Sequence, residues 1–290
     1  MSVAVIQGAS GGLGQALTRY ILRHTGLTVY ALTHQASSQG VRESLLSEVW
    51  DKGKHDSERL TVVSNVDVRE EEGLRRGAEM IRSREGSGSV RVVVCLAGIL
   101  KAEKSLSSIN LHDALSSFQI NALGQLITYT HIVPLIPTKN ELSILKAKWN
   151  SEEEGHDPAK GMVNGDHSIC CSLSARVGSI KDNEKGGWYS YRSSKAAVNQ
   201  IIRTLDHELY NRSSSAIAYA YHPGTVLTSF TSPIIGSPKP HLSQGLLTVD
   251  QAINCLVNIM SQVKRGVQGS QNGVDWGGRC WDWKGDVVEW

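Results

Sequence analysis

Tyr191 and Lys195 are two side chains whose types and spacing could move a proton. Residues four apart on a helix lie on the same face, so the two side chains would be neighbours. A lysine ammonium beside a phenol favours the phenolate and lowers its pKa from about 10. A phenol tuned in this way can donate or accept a proton near neutral pH. The same spacing also occurs between ordinary surface residues, so the pair needs support from other elements.

A glycine-rich turn near the start of the chain supplies that support. Gly8, Gly12 and Gly14 stand between a predicted strand and a predicted helix. Glycines let backbone N–H groups approach a phosphate, and the helix N-terminus adds the positive end of its dipole. The spacing is G-x-x-x-G-x-G, which differs from the common dinucleotide spacing G-x-G-x-x-G. An ordinary turn is the alternative, but the position after the first strand of a parallel pattern favours nucleotide binding.

Three serines stand at the end of a predicted strand or just after it, shortly before Tyr191. Ser172, Ser174 and Ser179 therefore lie near the carboxyl edge of the sheet, where ligands bind in this architecture. A serine hydroxyl at that edge could hold a substrate oxygen while Tyr191 transfers the proton. Serines are common in loops, so none of the three is informative alone.

The elements that must position these side chains alternate between apolar strands and amphipathic helices. The predicted strands are Val3–Ile6, Thr28–Leu32, Leu60–Val66, Val90–Leu96, Ser168–Leu173 and Ala216–Tyr221. The predicted helices are Leu13–Arg23, Val41–Trp50, Glu71–Arg82, His112–Leu135, Tyr191–Leu209 and Val249–Ser261. This alternation predicts an α/β fold with a single Rossmann-type, doubly wound parallel sheet and helices on both faces. Residues 1–290 are expected to form one domain.

Two segments interrupt the alternation. Residues 137–167 are polar and charged, and we predict a surface insertion there with a short helix around Glu141–Trp149. Thr228–Leu247 is rich in serine, proline and glycine. Such a segment is typical of a mobile loop beside an active site, and equally of an ordinary long surface loop.

The composition argues against several classes of partner. The net charge is +2 and no long basic run is present, which disfavours nucleic acid and anionic membranes. The apolar runs are strand-sized and fall short of the roughly 20 residues that span a bilayer. The five cysteines form no paired C-x-x-C motif, so we expect reduced thiols and a cytoplasmic protein. The histidines are dispersed, and we expect no metal site.

Taken in order along the chain, these motifs resemble those of the classical short-chain dehydrogenases/reductases. Gly8, Gly12 and Gly14 match the glycine motif of that family, and Tyr191 and Lys195 match its catalytic pair. The other matching positions are Asp67 after the third strand, Leu96-Ala-Gly98 in place of N-A-G, Asn121 in the following helix, and Pro223-Gly-Thr-Val-Leu-Thr228 after the sixth strand. The segments Ala175–Ile180 and Gly186–Lys195 and the tail Trp281–Gly285 are similar to the Sniffer and C-factor-like carbonyl reductases.

The resemblance implies roles for named residues. It gives catalysis to Tyr191, Lys195 and Asn121, and we add Ser174, which stands one residue before the family's serine position. It gives cofactor contacts to Gly8, Ser10, Gly12, Leu13, Gly14, Thr33, His34, Asp67, Val68, Ala97, Gly98, Asn121, Tyr191, Lys195, Pro223, Gly224, Val226 and Thr228. Asp67 would contact the adenine ring, and Asn121 would support Lys195 through a water. The tail would either close over the substrate side or cap the sheet, and we favour the cap.

Three departures from the family pattern affect these expectations. Leu96 replaces the asparagine of N-A-G, although Ala97 and Gly98 keep the backbone close to the ribose. Ala175 stands where the catalytic serine is usual, so we assign that role to Ser174 ahead of Ser172 or Ser179. The insertion at 137–167 is longer than usual and leaves homo-oligomerisation open.

The end of the second strand bears on cofactor choice. An acidic residue there would bind the ribose hydroxyls of NAD and repel the extra phosphate of NADP. The sequence reads Ala31-Leu-Thr-His-Gln35 and has no carboxylate, while Thr33, His34 and Ser10 could contact a 2′-phosphate. We therefore expect NADP(H) rather than NAD(H), with a small carbonyl or alcohol substrate. The alternative is a non-catalytic NADP(H)-binding sensor or signalling protein on the same fold, which the displaced serine keeps open.

Overall fold

A computed structural model describes residues 2–47, 57–151, 156–236, 238–266 and 275–290. An eight-stranded sheet has the order β10-β9-β6-β5-β4-β1-β2-β3, and a two-stranded sheet pairs β7 with β8. The strands are β1 Val3–Gln7, β2 Thr28–Leu32, β3 Leu60–Val63, β4 Val90–Cys95, β5 Ser168–Leu173, β6 Ala216–His222, β7 Thr225–Val226, β8 Leu246–Leu247, β9 Cys280–Asp282 and β10 Val287–Val288. All pairings in the large sheet are parallel except β9 with β10.

Helices cover both faces of the large sheet. They are α1 Gly12–His24, α2 Ser38–Leu46, α3 Glu71–Glu85, α4 Leu111–Phe118, α5 Gly124–Ile132, α6 Lys139–Ser151, α7 Tyr189–Asn211, α8 Ser232–Ile235 and α9 Val249–Gln262. One apolar core joins the sheet to α1 and α9, and a second joins it to α3, α5 and α7. The strands β1, β2 and β4 are fully buried, as expected for parallel strands covered on both faces. The predicted Rossmann-type α/β fold is confirmed.

The predicted helix His112–Leu135 is interrupted. A π-helical turn at Gln119–Leu123 separates α4 from α5, and a short 3₁₀ turn follows at Val133–Leu135. π turns inside helices are rare and often lie at functional sites. This one carries Asn121. The last three residues of the predicted helix Val41–Trp50 lie outside the described residues.

The carboxyl-terminal tail extends the sheet. Cys280–Asp282 pairs in parallel with the end of β6, and β10 then pairs with β9. Trp281 stacks on Trp276 at a ring separation of 4.1 Å and is buried. The tail therefore caps the sheet on the side of β6, as we favoured. The two strands of the tail, three and two residues long, are too short for the sequence to show the alternation that predicts a strand.

The described residues of the insertion, 137–151 and 156–167, lie at the amino edge of the sheet, opposite the ends of the strands that carry the predicted site. Its helix α6 covers the region predicted at Glu141–Trp149. Thr138 forms an isolated bridge with Ser214, just before β6 begins. In the described parts of the chain, no helix is long and apolar enough to cross a bilayer.

Candidate active site

A cleft of about 1060 Å³ opens along the carboxyl edge of the parallel strands. Side chains and backbone from the ends of β1, β4, β5 and β6 line it, together with the start of α7 and the segment after β7. In doubly wound sheets this edge is where ligands bind, because the loops there diverge and leave a crevice. Of the predicted site residues, Thr33 and Asn121 lie behind the cleft wall and the others line it.

The glycine turn is packed so closely that side chains would not fit. A Cβ on Gly14 would lie 2.3 Å from the carbonyl oxygen of Gly8, and a Cβ on Gly8 would lie 2.6 Å from the backbone nitrogen of Ala97. Gly8 also has a φ of +82°, which favours glycine. Helix α1 begins at Gly12 with no acidic residue in its first turn. Its free N–H groups thus face the cleft without a competing carboxylate, as an anion site requires.

One end of the cleft holds an acidic and a basic side chain locked together. The guanidinium of Arg69 donates from Nε to Oδ1 of Asp67 at 3.0 Å and pairs through Nη2 with Oδ2 at 2.5 Å. This two-point hydrogen bond lowers the pKa of the Asp67 carboxyl. His34 lines the same end, while Oγ1 of Thr33 donates to Oγ of Ser10 at 2.9 Å. Arg69 therefore brings a guanidinium, paired with Asp67, to this end of the cleft, and the sequence reasoning had not assigned it.

The segment after β4 is held by two amide side chains. Oε1 of Gln7 accepts from the backbone nitrogen of Ala97 at 3.0 Å. Asn121 accepts from the nitrogen of Ile99 at 2.7 Å and donates to the oxygen of Ile99 and to Oγ of Ser194. Leu96 packs against the core on the face of α1 and α9. The segment keeps its place without the asparagine that Leu96 replaces.

Tyr191 and Lys195 lie one above the other in the first turns of α7, as their spacing predicts. Nζ of Lys195 is 5.7 Å from the centre of the Tyr191 ring and donates to the oxygen of Leu173 at 2.7 Å. Both residues are buried. Burial raises the pKa of the Tyr191 phenol and lowers the pKa of Lys195 to about 8. The predicted lowering of the Tyr191 pKa is therefore wrong for this structure, because desolvation of the phenolate outweighs the ammonium nearby.

The three serines differ in their surroundings. Ser174 lines the cleft, and its Oγ donates to Oδ1 of Asn199 on α7 at 2.6 Å. Ser172 is buried on β5 and shares a hydrogen bond of 2.9 Å with Tyr129. Oγ of Ser179 accepts from the nitrogen of Asp182 at 3.1 Å. Ser174 is thus the one of the three on the cleft, although its hydrogen is engaged by Asn199.

The far wall of the cleft comes from the segment that follows β6. Pro223, Gly224, Val226 and Thr228 line it, as predicted. Part of the predicted loop Thr228–Leu247 is ordered into α8 and β8. Trp283 of the tail supports this wall, since a Cβ on Gly224 would lie 3.1 Å from its indole.

Sequence reasoning missed or underweighted several cleft residues. The ring of Phe230, in the segment after β7, lies 6.5 Å from the ring of Tyr191. The ring of Trp188, just before α7, lies 6.2 Å from the same Tyr191 ring. His222 lines the cleft beside the ion pair of Arg176 with Asp282, and burial lowers its pKa to about 4. Its place directly before Pro223-Gly224 was the available signal for His222. Phe230 offered none, because its direction depends on how the segment after β7 folds.

Comparison with known proteins agrees with this geometry. A model of the family described as short chain dehydrogenase matches residues 2–147. The chain belongs to this family. It is 26% identical to the C-signal protein of Myxococcus xanthus over 204 residues, which is 70% of this chain and 95% of that one. It is 25% identical over 236 residues to 1-hydroxy-2-glutathionyl-2-methyl-3-butene dehydrogenase of a Rhodococcus strain, covering 81% of this chain and 83% of that one.

Solved structures share the fold along the whole chain. An NADPH-bound carbonyl reductase from chicken fatty liver superposes with a TM-score of 0.72 at 21% identity, with 100% of both chains covered. The carbonyl reductase Sniffer of D. melanogaster gives a TM-score of 0.72 at 19% identity, again with 100% of both chains covered. At these identities the likeness establishes the fold of this short-chain dehydrogenase.

Proposed function

We propose that this short-chain dehydrogenase is an NADP(H)-dependent oxidoreductase that interconverts a carbonyl compound and the corresponding alcohol. The proposal rests on one observation above all: buried Tyr191 and Lys195 face the same cleft as a glycine turn too tight for side chains. A proton donor and a dinucleotide cradle in one crevice are the two parts that such a reaction needs. Among the relatives, the dehydrogenase from Rhodococcus and the two carbonyl reductases carry names of this class.

The residues around the cleft fit a phosphorylated dinucleotide. The amides at the start of α1 and the close-packed Gly8 and Gly14 would hold the pyrophosphate. His34 and the guanidinium of Arg69, which also pairs with Asp67, would donate hydrogen bonds to a 2′-phosphate, and no carboxylate follows β2 to repel it. Ala97, Gly98, Val226 and Thr228 line the rest of the path to Tyr191. The chicken carbonyl reductase, which binds NADPH, supports the same choice of cofactor.

The reductive direction suits the protonation states found in the site. When bound, the nicotinamide supplies the hydride. Tyr191 then gives the phenolic proton to the carbonyl oxygen; although burial raises the pKa of the phenol, that oxygen becomes a stronger base than a phenolate as the hydride arrives. Lys195, with a pKa of about 8, is mostly charged at pH 7 and offsets the negative charge left on the phenolate.

Two further residues would complete the proton path. Ser174 would exchange its bond with Asn199 for one to the substrate oxygen, where negative charge develops. Oδ1 of Asn121 and Nζ of Lys195 lie 3.3 Å and 3.8 Å from the point where a Cβ on Gly98 would stand. A water held between the amide oxygen of Asn121 and the ammonium of Lys195 would return the proton.

The deciding experiment is the Tyr191→Phe variant, assayed with NADPH and NADH on a panel of aldehydes, ketones and quinones. We expect a loss of about 10²–10⁴-fold in turnover, the usual contribution of a general acid, with unchanged NADPH affinity. Tyr189→Phe is the matched control, because Tyr189 is adjacent, exposed and outside the cleft. Tight NADPH binding without turnover of any panel member by the wild type would instead favour the sensor alternative.

A further inference from the structure

Trp188 adopts a backbone conformation that large side chains avoid. Its φ is 53° and its ψ is 42°, in the left-handed region, directly after Gly186 and Gly187 at φ values of 63° and 69°. For a bulky residue this conformation is disfavoured by contact of its Cβ with the backbone, and it persists only where surrounding bonds enforce it. Such outliers cluster at functional sites. Trp188 directly precedes α7 and lines the cleft.

Hydrogen bonds with the backbone and side chain of Glu103 and with the side chain of Arg192 hold this segment. The backbone oxygen of Glu103 accepts from the nitrogen of Trp188 at 2.6 Å, and its carboxylate accepts from the nitrogen of Ser190 at 3.4 Å. Arg192 donates from Nε to the oxygen of Gly187 at 3.0 Å and from Nη2 to the oxygen of Gly186 at 3.3 Å. Glu103 is 7% exposed, so its carboxylate is committed to the start of α7 rather than to solvent.

The enforced conformation sets the indole beside the proposed acid. The Trp188 and Tyr191 rings meet edge to face at 72° and 6.2 Å. Phe230, from the segment after β7, tilts at 54° toward the same phenol at 6.5 Å and remains 39% exposed. Two apolar rings, which lie far apart in the sequence, are thus both neighbours of the group that would protonate a carbonyl. We name this pair of walls the Trp188–Phe230 slot.

We infer, on the basis of the proposed function, that the Trp188–Phe230 slot selects carbonyl compounds with a flat aryl group attached to the carbonyl carbon. Aromatic rings prefer offset or edge-to-face contacts with other rings beyond the apolar area that they bury. An aryl ring in the slot makes such contacts with both walls while its carbonyl oxygen lies at the Tyr191 hydroxyl. Glu103 and Arg192 are positioning residues that act through Trp188.

The test compares two aldehydes of nearly equal size, benzaldehyde and cyclohexanecarbaldehyde, at saturating NADPH. The measured quantity is the ratio of their kcat/KM values. Trp188→Gly and Phe230→Leu should each lower this ratio by about two- to tenfold, the range that aromatic pair energies convert to. The Tyr189→Ala variant, which removes an exposed ring outside the cleft, should leave the ratio unchanged.

Glycine is chosen at position 188 because it adopts the left-handed conformation without strain. Trp188→Ala removes the same indole and keeps the strain, so it should have a lower Tm than Trp188→Gly at a similar aldehyde ratio. Equal Tm values for the two variants would show that the left-handed conformation of residue 188 costs no measurable stability. If Trp188→Ala fails to fold, the glycine variant still decides the aldehyde ratio.

The positioning role has its own measurement. Glu103→Ala and Arg192→Met should raise KM for benzaldehyde more than they lower kcat, with unchanged NADPH affinity. Glu103→Gln keeps an acceptor oxygen and should restore most of the wild-type aldehyde ratio. An unchanged ratio in both Trp188→Gly and Phe230→Leu, in enzymes that still turn over, would overturn the slot and leave the proposed function intact. Absence of any NADPH-dependent turnover in the wild type would remove the proposed function first.

Discussion

The carboxyl ends and the amino ends of the parallel strands form two edges of the large sheet, and these two edges are built differently. At the carboxyl edge, a cleft about 1060 Å³ in volume separates the loops, Lys195 is buried, and Trp188 is held in a disfavoured conformation. At the amino edge, residues of the insertion contact Arg91 at the start of β4. Each edge therefore buries a cation: Lys195 lines the open cleft, whereas Arg91 is enclosed by its contacts with the insertion.

Arg91 shows how the amino edge is closed. This side chain, at the start of β4, is fully buried. Its guanidinium lies 5.0 Å from the centre of the Trp149 ring, 3.5 Å from a carboxylate oxygen of Asp157, and donates to the oxygen of His167 at 3.1 Å. All three partners belong to the segment 137–167. Arg91 thus ties the insertion to the sheet far from the cleft.

Lys195, at the carboxyl edge, donates to the carbonyl oxygen of Leu173 and has no carboxylate partner among the described residues. Its folded pKa of about 8 lies below the usual 10.5, because burial disfavours the charged form. Between about pH 8 and 10.5 the unfolded chain binds more protons than the folded chain, so this group makes stability rise with pH across that window. Below pH 8 its destabilising contribution is present in full.

The largest expected effect follows from removing that charge with Lys195→Met. Carbonyl reduction should fall by about 10³-fold, since the variant has no cation to offset the phenolate. The cofactor-free variant should nevertheless be more stable than the wild type at pH 7 by roughly 1–2 kcal/mol, part of the free energy that the pKa shift represents. Thermal unfolding measured from pH 7 to 10.5 checks this, because the two Tm curves should converge as pH rises.

The exposed Lys148→Met on α6 serves as the control for Lys195→Met and should move neither quantity. A Lys195→Met variant that is less stable than the wild type at pH 7 would break the contrast between the two edges.

A smaller effect is expected at Ser174. Ser174→Ala should lower kcat by about 10²-fold if its hydroxyl leaves Asn199 to bind the developing oxyanion. Ser172→Ala and Ser179→Ala should change kcat by less than about threefold on the same scale, because both hydroxyls lie off the cleft. Steady-state kinetics on all three variants would test the assignment. Equal, small effects in the three would leave Tyr191 as the sole donor to the substrate oxygen.

The smallest effect on rate is expected at the amino edge. Arg91→Ala should leave kcat/KM unchanged while lowering the free energy of unfolding by roughly 2–4 kcal/mol, as for a buried side chain whose partners lose their bonds. Urea denaturation measures this difference. Arg91→Met fills more of the space and should be less destabilising. A kinetic defect in either variant would mean that the insertion communicates with the cleft.

Sequence reasoning reached the fold and much of the cleft because both depend on local order. The alternation of strands and helices, the spacing of Gly8, Gly12 and Gly14, and the pair Tyr191 and Lys195 can each be read within a few residues. The strands β9 and β10 escaped prediction because they are too short to show a period. The π turn at Asn121 escaped because no residue type specifies it.

The residue order by itself determined the parallel sheet, the glycine cradle and the face of α7 that carries Tyr191 and Lys195, because these depend on backbone periodicity and on glycine. Only the tertiary structure decided which side chains from distant segments meet. It brought Phe230 and Trp188 to one phenol, Arg69 to Asp67 and Arg91 to the insertion. It also reversed the expected shift of the Tyr191 pKa, because desolvation depends on everything packed around a group and not on its neighbours along the chain.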